Sequence, residues 1–462
     1  MDNRKRIQLA ISVLPDGAIV SCVGKLIPVC GLLGTATNDN TVQRSTSMFP
    51  SSLLQSLSPS PLPARRGFGP GEQDWNYMVR KGAHLFYWLH YTTANVSSFY
   101  ERPLAIWFEG GVASTGEGCF EYVGPVDIEG QPRASNWVQH MNVLFIDTPV
   151  GTGFSYVETF GEFGQNDTQN ALDLVTLMAH FLRSHPEFQR VPLHIISESY
   201  GGKMAPEFGL ELYLAQQRGE VQCQLKSVIV GNPFISPVDT VLAYAPFLLQ
   251  HGIVDHDGYS KISRAAEKFA HWFNVGNARD MVEELFKIID MFHEIGGKID
   301  VSNIQRRNHL DDHLRHEVNK NLPEFMVNNV TKALNLTHMP RWDKHNRLGQ
   351  NALGTLIFKP GVNSVTRLLD ETPIRMVVYS GTLDLVVPTP ATVNWIDQMQ
   401  WGSKKSYVDA TRRPFFVDGF IEGYEKQGGN FSMFWVLRAG NLVHQDNPAA
   451  MAYILREITN FE

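Results

Sequence analysis

Cysteine is scarce in this chain: four occur in 462 residues, Cys22, Cys30, Cys119 and Cys223, two of them in an irregular N-terminal stretch. So few thiols give no disulfide framework to read. Charge of one sign is also missing. The formal net charge is −7 and no dense lysine or arginine stripe occurs, so nucleic acid is not an expected partner. No uninterrupted apolar run approaches the roughly 20 residues of a membrane span. The nearest is "IQLAISVL" after "RKR", which resembles a poor signal peptide, but Asp16 and Lys25 break the apolar stretches around it. Residues 1–66 end in the Ser/Pro-rich "STSMFPSSLLQSLSPSPLPARR" and are read as a leader, disordered or processed. No internal repeat is visible.

What is present is a globular composition, 43% hydrophobic and 19% charged, enough for one large domain with an insertion or for two domains. Short apolar runs recur from residue 67 onward: "HLFYWLHY", "PLAIWF", "NVLFID", "PLHIIS", "KSVIVG", "IRMVVYS" and "SMFWVL". Continuous runs of this kind suit strands covered on both faces. Between them, "TQNALDLVTLMAHFLRSH" carries Leu174, Leu177, Met178 and Phe181 at helical spacing, so strands alternate with helices and the class is α/β with a mainly parallel sheet. Residues 238–347 break the rhythm with amphipathic helical stretches and read as an inserted subdomain, its Phe269, Trp272, Phe273 and Met291 serving its own core. The sheet pattern is expected to resume at "GTLIF". The chain therefore divides into a core of 67–237 and 348–462 around a helical insertion.

The string "SESYGG" at 197–202 stands between the strand "PLHII" and a helical stretch. A nucleophilic serine on a tight strand-to-helix turn needs small residues two before and two after it, and Ser197 and Gly201 flank Ser199 in that way. Partners should follow in the order acid, then histidine. Asp384 lies in a turn directly beyond the apolar strand "IRMVVYS", where a carboxylate can orient an imidazole.

Taken together, "PLAIWFEGG", "IDTPVGTGFSY", "ISESYGGKMAP", "VGNPFISP", "YSGTLDLVVPT" and "AGNLVHQDNP" resemble the serine carboxypeptidase family of α/β-hydrolases, and within it the retinoid-inducible branch. The resemblance runs from about Trp75 to the end. It implies an α/β-hydrolase fold, release of C-terminal residues from peptides, no cofactor and no metal. It places Ser199 as nucleophile, Asp384 as acid, and the backbone of Gly111 and Tyr200 as oxyanion donors.

Three positions depart from the family pattern. Where the family reads Gly-His-Met-Val-Pro, this chain reads Gly440-Asn441-Leu442-Val443-His444, so Asn441 occupies the histidine position. An amide cannot take the serine proton and return it to a leaving amine. His444, three residues further on, is a candidate substitute base. The loop "EGGVASTGEG" is about two residues shorter than the family's oxyanion loop. Finally, the family holds the peptide's carboxylate with an amide and a glutamate, whereas here the pair is Glu109 and Glu198, two carboxylates facing a third. The expectation is a carboxypeptidase-like protein of impaired activity that still receives peptides. The alternatives are an acid carboxypeptidase or acyltransferase using His444, and a non-catalytic peptide- or partner-binding protein.

N-x-S/T sequons begin at Asn95, Asn166, Asn329, Asn335 and Asn430. Such sites are acceptors only in the secretory pathway, and with the family resemblance they point to a secreted or lysosomal glycoprotein.

Overall fold

In the computed structural model, which describes residues 77–109, 114–297, 299–306, 321–336, 340–343, 354 and 356–461, each of the seven runs from "HLFYWLHY" to "SMFWVL" becomes a strand. These are β2 (Ala83–His90), β3 (Leu104–Glu109), β4 (Asn142–Asp147), β6 (Pro192–Glu198), β7 (Gln224–Gly231), β8 (Arg375–Gly381) and β11 (Phe431–Val436). The strands that the apolar pattern did not announce are β1 (Tyr77–Arg80), β5 (Tyr156–Val157), β9 (Arg413–Val417) and β10 (Phe420–Gly428), all at the margins. The leader, 1–66, lies outside the described residues.

One sheet results, in the order β1-β2-β4-β3-β6-β7-β8-β11-β10-β9, with β5 beside β2. From β4 through β11 all neighbours are parallel, and the outer strands pair antiparallel. Successive side chains point to opposite faces, so Ile106, Ile195 and Val228 feed one core while Trp107, Ile196 and Ile229 feed the other. That double burial is why the central strands read as unbroken apolar runs.

Helix α1 (Asp167–Ser184) starts at Asn166, whose side chain accepts the Gln169 N–H, and buries Leu174, Leu177, Met178 and Phe181 completely. Helix α2 (Ser199–Gln217) follows β6 without a loop and lies beside α1 on the same face. Then come α3 (Pro237–Gln250), α4 (His256–Asn274) and α5 (Ala278–Gly296). These share a core of their own in which Phe269 is fully buried, with Trp272, Phe273 and Met291 packed half-buried against it. Helices α6 (Val362–Glu371) and α7 (Thr389–Gln398) return to the face of α1 and α2, and α8 (Pro448–Thr459) covers the opposite face.

The stretch expected to restart the sheet, "GTLIF", does not. Its described part is a single 3-10 turn at Leu356–Phe358, closed by Pro360 and Gly361, and the sheet resumes only at Arg375. Leu356 and Phe358 are buried there in two different cores, which explains their apolar character without a strand.

Candidate functional site

Strands β3 and β6 are neighbours, yet the chain leaves β3 toward β4 and leaves β6 toward β7, on opposite sides. At such a reversal of strand order a crevice opens beyond the carboxyl ends, the usual ligand site of an open α/β sheet. Glu109 ends β3 and Glu198 ends β6 at this point.

Ser199 is the first residue of α2 and has φ +55°. That left-handed conformation costs a non-glycine residue about 1–2 kcal/mol, and it turns the side chain out of the strand line. Ser199 is half-buried between the buried Glu198 and Tyr200, and its carbonyl accepts the Phe234 N–H at 3.0 Å. The strand, strained serine and helix have the strand–turn–helix geometry of a nucleophile elbow.

Asp384, just beyond β8, is fully buried. Its Oδ1 accepts the Val386 N–H at 2.7 Å, and its Oδ2 accepts Nδ2–H of Asn441 at 2.9 Å. Burial pushes this carboxyl well above the usual carboxylate range, against the hydrogen bonds from Asn441 and the backbone of Val387 and Val386. Among the described residues, no cation is one of the groups that act on it. Asn441 is fixed from its backbone: its N–H donates to Ser302 O at 2.6 Å, and its carbonyl accepts Nδ2–H of Asn232 at 2.6 Å. Asn232 Oδ1 in turn accepts the Gly381 N–H at 2.9 Å, which ties the Asn441 loop to the end of β8. Gly440 must lack a Cβ here, because one would stand 1.9 Å from Ser302 O.

His444 sits on the short helical turn Val443–Asp446 with its side chain almost wholly buried. Its Nδ1 bonds Glu198 Oε1 at 3.1 Å and, among the described residues, its Nε2 has no hydrogen-bond partner. The residue considered above as a substitute base is thus engaged with Glu198 and makes no bond to Ser199. Glu198 Oε1 also accepts the Tyr379 hydroxyl at 2.7 Å. Tyr379 reaches it across Gly231, where a Cβ would lie 2.3 Å from the tyrosine ring. Glu109 is the Cα partner of Glu198 across the parallel β3–β6 ladder, and its Oε1 accepts Nε1–H of Trp107 at 3.1 Å. Burial first, and then the charge of Glu198, its hydrogen bond and the charge of Glu109, hold the Tyr379 phenol well above its ordinary range. Burial does the same to Tyr122, with Glu117, Glu109, Glu121 and Glu198 adding to it.

The other residues singled out in the sequence are dispersed. Gly111 lies outside the described residues, and Tyr200, the second residue of α2, donates its hydroxyl to Asp167 Oδ1 at 3.2 Å. Asn95, Asn166, Asn329 and Asn335 are exposed. Asn430 differs: it is half-buried, its Nδ2–H donates to Leu369 O at 2.9 Å and its Oδ1 accepts the Ser403 hydroxyl at 3.0 Å, so its carboxamide is committed to the fold. Among the described residues no group of three or more His, Cys, Asp or Glu is placed to hold a metal ion, and no helix is long and apolar enough to cross a membrane. Sequence reasoning missed Tyr379, Trp107, Asn232 and Ser302. Tyr379 is brought to Glu198 only by the sheet order, whereas Trp107 stands two residues before Glu109 on the same face of β3, a spacing that strand alternation could have revealed.

Sheet order, elbow and acid position define an α/β-hydrolase. A family model for serine carboxypeptidases matches residues 67–460. The chain is 32% identical over 424 residues to the human retinoid-inducible serine carboxypeptidase, covering 85% of this chain and 92% of that one. It is 27% identical to the vitellogenic carboxypeptidase of Aedes aegypti, covering 80% and 79% respectively. A crystal structure of a prohormone-processing carboxypeptidase from Saccharomyces cerevisiae superimposes with a TM-score of 0.71 at 21% identity, over 84% of this chain and 91% of that one. The chain belongs to the serine carboxypeptidase family.

Proposed function

We infer that this protein keeps the peptide-receiving cleft of a serine carboxypeptidase while its hydrolytic chemistry is impaired. The observation that carries this reading is the 2.9 Å hydrogen bond from the Asn441 amide to Asp384. In a working triad the acid orients an imidazole that removes the serine proton; here it orients an amide that has no titrating nitrogen. Loss of the histidine from such a unit costs on the order of 10⁶ in turnover, with about 10³ to 10⁴ over water left from binding and oxyanion stabilisation. Peptides are the ligand class, Gly111 and the Tyr200 N–H are the oxyanion donors, and the Glu109–Glu198 pair is the end of the cleft that meets the peptide terminus. The helices of 238–347 are the cap of that cleft. Segment 301–304 supports this, because Leu385 N–H donates to Val301 O, Asn441 N–H to Ser302 O and Ile304 N–H to Leu383 O. The exposed asparagines of four sequons, Asn95, Asn166, Asn329 and Asn335, favour a secreted or lysosomal lumen.

A fluorophosphonate probe tests the reading, since a serine without a base is a weak nucleophile. The wild type should label slowly and should hydrolyse blocked dipeptides hardly at all between about pH 4 and 8. Fast stoichiometric labelling of Ser199 would overturn it, and loss of that labelling in His444→Ala would install His444 as the base.

A further inference from the structure

Lys203 stands one turn beyond Ser199 on α2, and its side chain is almost wholly buried. An ammonium at that depth loses its hydration, so burial pulls its pKa down while the charge and hydrogen bond of Asp167 oppose the fall. Its Nζ lies 3.0 Å from Asp167 Oδ2 and donates to the carbonyl of Leu356, in the turn that precedes α6. The other oxygen of Asp167, Oδ1, accepts the hydroxyl of the buried Tyr200 at 3.2 Å. Nζ also lies 5.2 Å from the centre of the Tyr200 ring. Gly361 leaves room for the lysine, since a Cβ there would stand 2.9 Å from Lys203 Cγ. The same helical turn is pressed against Pro233, which a Cβ at Gly202 would approach to 2.7 Å. Stability does not explain the lysine. A buried ion pair is commonly no more stable than an apolar side chain of similar volume, because desolvation consumes the Coulombic gain. A methionine would fill the same place, but it would leave Asp167 free to turn and Tyr200 without an anchored acceptor. What the lysine adds is orientation.

We propose that Lys203 and Asp167 are positioning residues for the cleft: through the side chain of Tyr200 they fix the first turn of α2, and with it the direction of the Tyr200 N–H beside Ser199. The inference rests on the reading of that N–H as an oxyanion donor. Such a donor has to stand about 3 Å from the developing charge, so a first turn that can rock loses its effect. Ser199 at φ +55° makes the clamp necessary, because a strained residue persists only where its surroundings hold it. Asp167 is the first residue of α1 and Leu356 lies in the turn before α6, so the clamp ties the elbow to two separate parts of the chain.

Three variants of the full chain test this: Lys203→Met, Tyr200→Phe, which deletes a single hydroxyl and puts the fold at little risk, and the two combined. Hydrogen exchange is followed at 203–205, the first amides of α2 whose acceptors lie within the helix, and at 208–217 further along it. Each single variant should speed exchange at 203–205 by about tenfold, the worth of one hydrogen bond, and leave 208–217 unchanged. Because both act through Asp167, the double variant should be no worse than the more severe single one. The limiting rate of fluorophosphonate labelling of Ser199 should fall by about three- to tenfold in each, while the probe concentration that gives half that rate stays the same. No change at 203–205 in either single variant overturns the proposal. Equal acceleration along all of α2 also overturns it, since Lys203 would then hold the helix and not the elbow, and so does a double variant whose effect is the product of the singles. Exchange that responds while labelling does not refutes the link to the oxyanion donor. Fast labelling of the wild type would overturn the impaired chemistry proposed above, yet the same proportional fall in the variants would still support the clamp.

Discussion

The elbow at Ser199 and the loop at Gly440–Asn441 sit at the ends of strands in one sheet, yet they have diverged to different degrees. At the elbow everything that positions a nucleophile is in place: a parallel strand, a residue at φ +55° and a helix starting at that residue. At the loop the geometry is equally tight, with Asn441 held by Ser302, Asn232 and Asp384, but the side chain so carefully placed cannot move a proton. The difference teaches that backbone positioning and acid–base chemistry are separable. Close approaches at Gly231 and Gly440 and the hydrogen bonds around them hold the fold, and none of them depends on the identity of the base.

The sharpest way to break this contrast is to restore the imidazole. Asn441→His should raise hydrolysis of a blocked dipeptide by about 10²- to 10⁴-fold, the usual worth of a positioned general base. Initial rates on wild type and variant decide it. A gain near 10⁶ would mean that nothing else in the cleft has diverged, and no gain would mean that Ser199 or its oxyanion donors are no longer competent.

Stability should separate the same two regions. Gly440→Ala forces a Cβ onto a backbone oxygen that cannot swing aside, and should destabilise by about 3 kcal/mol, seen as a lower thermal midpoint. Ser199→Gly relieves a left-handed serine at some cost in chain entropy, and should leave stability unchanged or raise it by up to about 1 kcal/mol. Equal losses from both would show that the elbow is not strained.

A smaller effect probes the orphaned acid. Burial raises the Asp384 carboxyl in the folded state, so the folded protein binds its proton more tightly than the unfolded chain does. Its contribution to stability is therefore fullest below the ordinary carboxylate range, near pH 4, and is lost as pH rises through the folded value. Asp384→Asn removes that loss, and the Asn441 amide can turn to keep the hydrogen bond. The variant should melt higher than wild type at neutral pH, with the gap closing toward about pH 4. A lower midpoint at neutral pH would show that a cation does face Asp384.

Much of this was legible in the sequence. The central strands announced themselves because both faces are buried, and the elbow because small residues flank Ser199. The marginal strands β9 and β10 did not, since half-exposed pairs such as Tyr424 and Glu425 carry no apolar run. The apolar "LIF" at 356–358 misled for the converse reason, being buried by two cores rather than by a sheet. At the site, the family resemblance pointed to Ser199, Asp384 and Asn441, and nothing in the sequence announced that His444 bonds Glu198. That pairing spans 246 positions and exists only because β6 and the loop after β11 meet at the carboxyl end of the sheet.

The finest test concerns the two glutamates, Glu109 and Glu198, paired across the β3–β6 ladder. Glu198 is supported by Tyr379 and His444, whereas Glu109 takes the Trp107 indole N–H, and among the described residues no arginine or lysine is one of the groups that act on Tyr379. A peptide carboxylate arriving here meets two like charges that oppose it. In the Asn441→His background, Glu109→Asn removes one charge and restores a donor, so apparent substrate affinity should improve by about three- to tenfold near pH 7. Turnover should change less than KM. KM measured across pH on one blocked dipeptide and on its C-terminal amide completes the argument. The amide lacks the carboxylate, so its KM should be indifferent to the substitution; an equal gain for both would show that Glu109 acts on the shape of the cleft and not through its charge.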